Sequence, residues 1–252
     1  MIHPPENLDW LAWVARWDQM QERYLVRRND RFDMIAHLIA ATQGTSPRIL
    51  DLGCGTGSLM TVILAAIPCA TAIGVDLDPT LLWLAEKRLA DYGTRVQVMR
   101  IDLRDAAWTE KFQSPFSAVV SATALHWLSP AQLSALYPQI ATLLPPGGIF
   151  LNADHAASES PIVQSAWQQN RDLMRTDQSR EAADDWDGFW KAYLSVLGPQ
   201  AQTERDQALG DRQGVENGLP LAWHFDHLRQ AGFVAVDCFW RADCDAIYGG
   251  MR

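Results

Sequence analysis

Apolar positions in the first fifty residues recur at helical spacing. Trp10, Trp13, Trp17, Met20 and Tyr24 are separated by alternating steps of three and four, which puts them on one face of a helix over residues 8–24. After the polar break Arg27, Arg28, Asn29 and Asp30, the positions Phe32, Ile35, Ala36 and Ile39 resume the pattern until QGTSP ends it. From Arg48 the rhythm changes to short apolar runs separated by helical stretches, the signature of strands alternating with crossover helices in a parallel sheet. It predicts strands at 49–52, 72–76, 96–101, 118–121 and 149–153, with helices around 59–66, 80–92 and 130–144. Near the C-terminus, 234–240 and 246–249 predict two further strands, close enough in sequence to pair as an antiparallel hairpin. The fold class that follows is α/β, with seven strands.

Residues 155–223 break this rhythm. The stretch is long, carries Trp167, Trp186, Trp190 and Tyr193, and ends in the polar run GPQAQTERDQALGDRQGVENG, which reads as a helical insert plus a mobile loop. The expected organisation is an N-terminal lid helix (1–30), an α/β core (31–154), a helical cap insert (155–222), and a C-terminal helix with the hairpin that completes the sheet (223–252). A chain of 252 residues, 48% hydrophobic and 20% charged, suits one such core with a cap rather than a disordered segment. The first residues, MIHPPENLDW, lack a basic segment followed by an apolar one, so neither export nor a membrane anchor is expected and the expected location is the cytoplasm. Cys54, Cys69, Cys238 and Cys244 form no C-x-x-C pair or Cys/His cluster, so no metal site or disulfide framework is expected. The net charge of −9 argues against nucleic acid as a partner and fits a small or cationic acceptor better.

Candidate chemistry concentrates in ILDLGCGTGSL, residues 49–59: a strand ending in Asp51, glycines at 53, 55 and 57, then a helix. Such a strand-to-helix turn lets a ligand approach backbone closely where a Cβ would collide. The next strand ends in an acid at GVDLDP, where Asp76 can accept hydrogen bonds from both hydroxyls of a ribose. These two features ask for a nucleoside ligand. NAD satisfies them as well, but Asp51 beside the glycines repels an anionic pyrophosphate, whereas S-adenosylmethionine offers an ammonium and a sulfonium instead.

LDLGCGTG with GVDLDP resembles the first two motifs of the class I S-adenosylmethionine-dependent methyltransferases. RIDLRD, residues 100–105, is similar to the third, FSAVVSATALHWL to the fourth-strand motif, and LLPPGGIFL to the turn into strand five, where Pro145 stands in place of the usual basic residue. The resemblance implies a Rossmann-like three-layer sandwich with sheet order 3-2-1-4-5-7-6 and strand seven antiparallel. It also implies that Asp102 receives the adenine amino group and that the Leu103 amide faces the ring. The cofactor-binding set is then Asp51, Gly53, Cys54, Gly55, Asp76, Leu77, Asp102, Leu103 and Ser121. S-adenosylmethionine is the implied cofactor and S-adenosylhomocysteine its product. Within the family, ALHWL looks most like the trans-aconitate and biotin-pathway carboxyl methyltransferases, which implies methyl transfer to oxygen or nitrogen of a small molecule, with a carboxylate as one candidate.

His126 and His155 are the candidate bases for a hydroxyl acceptor, because an imidazole titrates near neutral pH. A carboxylate or free amine needs none. His224 and His227 read as surface positions on a helix. Seven tryptophans outside the sheet (10, 13, 17, 167, 186, 190, 223) suggest as a group an apolar-walled pocket, although for any single one packing of cap helices onto the body is the favoured explanation. Arg27 and Arg28 read as solvated, with a substrate carboxylate as the alternative partner. Two other readings compete: a cofactor-binding protein without turnover, and an NAD-dependent oxidoreductase, the latter disfavoured by G-x-G-x-G in place of G-x-G-x-x-G.

Overall fold

The computed structural model describes residues 4–25, 27–178, 184–210, 214–215 and 218–252. Its centre is a mixed sheet of strands β1 (Arg48–Leu52), β2 (Thr71–Asp76), β3 (Val96–Arg100), β4 (Ala118–Ala122), β5 (Ile149–Ala157), β6 (Leu219–Pro220), β7 (Ala235–Ala242) and β8 (Asp245–Met251). The spatial order is β3-β2-β1-β4-β5-β8-β7, with β6 added beside the end of β5. β1 to β5 pair in parallel, and β8 runs antiparallel to both β5 and β7. The expected order and the antiparallel strand are therefore present. The count is eight rather than seven, because Leu219 and Pro220 form a short pairing with Ala156 and Ala157 that two residues cannot announce by periodicity. Gly249 is required at the β5–β8 pairing, since a Cβ there would lie 1.8 Å from the carbonyl oxygen of Phe150.

Helices cover both faces and make three layers. Alternate side chains of β1, β4 and β5 (Ile49, Val120, Leu151) pack with α2 (Arg28–Gln43) and α3 (Ser58–Ala66) through Ile35, Ile39, Met60 and Ile63. The opposite set (Leu50, Val119, Phe150) packs with α5 (Pro130–Leu143) and α9 (Leu221–Gln230) through Tyr137, Ile140 and Leu228. Caps fix where two helices begin. Asp78 accepts from the Thr80 amide ahead of α4 (Pro79–Arg88), whose first residue is proline, and Ser129 with Gln132 closes a reciprocal capping box ahead of α5.

A third apolar cluster lies outside the sheet. Trp13, Trp17 and Met20 of α1 (Trp10–Tyr24) meet Phe189, Trp190 and Tyr193 of α7 (Trp186–Leu197) above Leu81 and Leu84 of α4. Trp17 has ring centroids 5.3 Å from Phe189 and 5.8 Å from Trp190. The insert is helical through α6 (Pro161–Gln178), α7 and α8 (Pro199–Leu209). Much of the run expected to be a mobile loop is thus helix, begun by a proline in its first turn and ended at Gly210 with φ 52°. Of the rest of that run, 211–213 and 216–217 lie outside the described residues. No described helix is long and apolar enough to cross a membrane.

Candidate active site

A cavity of about 670 Å³ opens beyond the carboxyl ends of β1 to β5, where an open parallel sheet leaves its ligand crevice. Asp51, Gly53, Cys54, Gly55, Asp76, Leu77, Asp102, Leu103, His126 and His155 all line it. Ser121 does not. It is fully buried, with its hydroxyl donating to the Leu52 carbonyl at 2.7 Å, so it ties β4 to β1 and leaves the cofactor-binding set.

Gly53, Gly55 and Gly57 adopt φ of 71°, 54° and 78°, the left-handed region in which glycine is unstrained. Packing adds a second reason at Gly53, where a Cβ would lie 2.3 Å from Cβ of Ala124. The turn therefore needs glycine for its own geometry as much as for a ligand. Thr123, after β4, also has a positive φ of 51° and lines the cavity, a strained backbone position of the kind that clusters at functional sites.

Asp76 accepts hydrogen bonds from the amides of Gly55 (2.8 Å) and Asp78 (2.9 Å), which ties the second strand's end to the glycine turn. Burial nevertheless pushes its pKa up to about 6. Asp51 is buried with Oδ2 unpartnered, and burial, then the charge of Asp76, pushes it up to about 8. Without a ligand Asp51 is thus mostly neutral at pH 7, so it does not repel a pyrophosphate as strongly as its residue type implied; a ligand cation beside it would restore the charge. Asp102 is pulled the other way. Burial opposes its ionisation, but Arg104, bonded to both its oxygens at 2.8 Å, holds it below the usual carboxylate range. The same arginine donates to the carbonyls of Ala208 and Leu209, which fastens α8 beside Asp102. Arg205 of α8 reaches Asp78 at 2.7 Å and lies 3.5 Å over the ring of Trp190.

At the other end of the cavity stand the two histidines. His126 Nδ1 is 2.7 Å from Asp154 Oδ1, and His155 Nδ1 is 2.7 Å from Asp245 Oδ1, with the ring centroids 5.1 Å apart. Both Nδ1 atoms being taken, each ring leaves Nε2 for the cavity. Burial opposes ionisation of Asp154, yet the charge and hydrogen bond of His126 hold it far below the usual range. Trp17, Tyr24, Trp127, Trp186 and Trp190 supply aromatic wall, so four of these five belong to the cap and amino-terminal helices.

Several of these residues escaped sequence reasoning. Asp154 is expected at the end of strand five beside the methyl group, but its bond to His126 is not, and Asp245 lacks a motif. A signal for Asp245 existed in the expected pairing of β5 with a terminal strand, but the register His155↔Asp245 lies one residue before the strand start that the apolar pattern indicates. Arg28, expected to be solvated, is buried in the cavity wall, with Nη2 3.2 Å from Asp18. Asp18 also takes Arg88 at 2.6 Å and the Ser58 hydroxyl at 2.9 Å, which locks α1 to the start of α3. His224 is another correction: it is buried between the hydroxyls of Tyr137 (2.6 Å) and Tyr248 (3.2 Å), and burial drives it down to about 4. Its helix turns that face to the sheet because Leu228, one turn on, is also buried there.

Residues 49–148 match the family model described as methyltransferase domain. The sheet order, the lined cavity and this match agree. Residues 49–148 thus match a methyltransferase domain, and the sheet has the Rossmann-like order of that fold. The chain is 30% identical over 136 residues to trans-aconitate 2-methyltransferase of Methylobacterium nodulans, covering 54% of this chain and 48% of that protein. It is 28% identical over 197 residues to the enzyme of the same name from Acidovorax ebreus, covering 73% and 68%. To malonyl-[acyl-carrier protein] O-methyltransferase of Halalkalibacterium halodurans it is 32% identical over 104 residues, covering 41% and 37%. The chain thus spans about half the length of the first curated relatives it matches. Among solved structures, human N-acetylserotonin methyltransferase in complex with SAM aligns at TM-score 0.55 and 16% identity over 99% of this chain and 60% of that one, a likeness of fold.

Proposed function

We propose that this methyltransferase chain transfers a methyl group from S-adenosylmethionine to an oxygen of a small carboxylic acid. The observation that carries the reading is a single cavity walled at one end by Asp51, Asp76, Asp102 and the glycine turn and at the other by two carboxylate-backed histidines beside Trp127. The acidic end fits the cofactor. Asp51 brings an unpartnered buried oxygen suited to an ammonium, and Asp76 keeps lone pairs for ribose hydroxyls after accepting two amides. Arg28, beside Ser58 and the start of α3, is placed for the carboxylate of the amino-acid portion. When bound, the cofactor supplies a methyl group on a sulfonium, already activated for in-line displacement.

What remains for this chain is to hold the acceptor oxygen and exclude water, effects worth up to ~7–11 kcal/mol together. The aromatic wall excludes water, and Nε2 of His126 is the donor offered to the acceptor's carboxylate, with His155 beside it. The names of the trans-aconitate and malonyl-[acyl-carrier protein] relatives support a carboxyl group as acceptor. A second reading, methylation of a hydroxyl, is favoured by the Asp154–His126 pair, the arrangement of an oriented general base. The test is incubation of the protein with S-adenosylmethionine and a metabolite extract, with mass detection of species that gain one methyl. Base-labile methyl esters support the carboxylate. Base-stable ethers select the hydroxyl, and no new methylated species contradicts both.

A further inference from the structure

The two histidines of the acceptor wall differ in what stands behind them. Asp154, the partner of His126, also accepts the backbone amides of His126 (3.1 Å) and His155 (2.9 Å), and no described guanidinium lies within ion-pair distance of it. Asp245, the partner of His155, has Nη1 of Arg31 3.6 Å from the same Oδ1 that holds the ring, and Arg171 adds a second positive charge facing it. Arg31 comes from α2 and is 1% exposed, and its Nε and Nη1 make no hydrogen bond among the described residues. Burying a guanidinium so incompletely satisfied is unfavourable, and its ion pair with Asp245 is the compensation on this face.

We propose that Arg31 is a positioning residue that keeps His155 an uncharged, oriented hydrogen-bond acceptor, leaving His126 as the ring that takes up positive charge. The inference rests on the placement of both rings in the acceptor wall. A buried carboxylate needs one positive charge near it. At Asp154 the available source is a proton on His126. At Asp245 the charge is already supplied by Arg31, helped by Arg171, so His155 needs only to donate its Nδ1 proton. A second proton on His155 would face Arg31, Arg171 and the His126 ring at 5.1 Å, against the attraction of Asp154 and Asp245. The wall then offers a donor at His126 and a lone pair at His155 Nε2, two unlike contacts from two like residues.

Long-range nitrogen–proton spectra of the full chain labelled with ¹⁵N-histidine, recorded without ligand near pH 7, report the tautomer and charge of each ring. His155 is expected with Nδ1 protonated and Nε2 bare, and Arg31→Lys is expected to preserve that state. Arg31→Met is expected to raise the doubly protonated fraction of His155 at least fivefold while His126 stays as it was. If Arg31→Met does not fold, Asp245→Asn decides: loss of the Nδ1–H preference at His155 supports the relay, and an unchanged spectrum overturns it. A wild-type His155 that is already doubly protonated, or an Arg31→Met spectrum like the wild type, also overturns it. None of these readouts needs methyl transfer, so the relay and the proposed reaction fail separately.

Discussion

Asp51 and Asp76 close neighbouring parallel strands, and both are pushed up by burial, to about 8 and about 6. A ligand ammonium or hydroxyl pair favours the charged forms, so protons compete with the ligand below those values. Affinity for S-adenosylhomocysteine is therefore expected to rise as pH goes from 6 to 8.5, with proton release on binding. Calorimetry in buffers of different ionisation enthalpy measures both, and Asp51→Asn should flatten the slope. The folding linkage has the opposite sign. Because Asp51 is raised from 3.8 to about 8, its share of apo stability is complete at acid pH and is lost as pH climbs through 8. Asp76→Ala is expected to weaken S-adenosylhomocysteine by ~1–3 kcal/mol, since the ribose hydroxyls lose a charged acceptor; an unchanged calorimetric affinity would place the ribose elsewhere. His126→Ala tests the acceptor end. If it only orients a carboxylate, kcat/KM should fall by about one to two decades, mainly through KM, for a lost charge-assisted hydrogen bond of ~1.5–3 kcal/mol. A fall of about two to four decades in kcat would instead identify base catalysis on a hydroxyl. Of these residues the acids at strand ends were legible, because a strand followed by glycines fixes where the side chain emerges. Asp154 was legible as a residue after strand five but its bond to His126 was not, and Asp245 and the Asp18 pairing of Arg28 were not, since these depend on contacts between segments far apart in sequence.

At the scale of elements, α1 and α7 share the cluster of Trp13, Trp17, Phe189, Trp190 and Tyr193, and Trp17, Trp186 and Trp190 also face the cavity. Packing and pocket wall, set out from the sequence as alternatives, are here the same side chains seen from two sides. We read α1 and α7–α8 as a cover over the ligand, held by Arg88 and Arg28 on Asp18, Arg205 on Asp78 and Arg104 on the end of α8. Hydrogen exchange should be faster in α1 and α8 than in β1 and β4, and should slow on addition of S-adenosylhomocysteine. Exchange indifferent to the ligand would leave these helices a packing role only. The sheet itself was readable in order because each apolar run is bounded by turns. The insert was less so: α8 is polar on most of its surface, with only Ala201, Arg205 and Ala208 buried, and a helix held by ion pairs carries little apolar period.

For the whole molecule, charge is divided along one cavity. Asp51 and Asp76, with Asp78 and Asp102 paired to Arg205 and Arg104, line the nucleoside end, Arg28 stands at the cofactor's amino-acid portion, and His126 and His155 stand toward the acceptor. A cationic cofactor is drawn to the acidic end, and the donor at His126 serves an anionic acceptor despite the net charge of −9. The central claim is methyl transfer to a carboxyl oxygen, and its most direct measurement uses methyl-tritiated S-adenosylmethionine with a panel of small carboxylic acids that includes trans-aconitate. The account predicts tritium in an extractable product that releases volatile methanol on mild base treatment. Tritium retained in a base-stable product, or none transferred to any acid while S-adenosylhomocysteine binds, would contradict it.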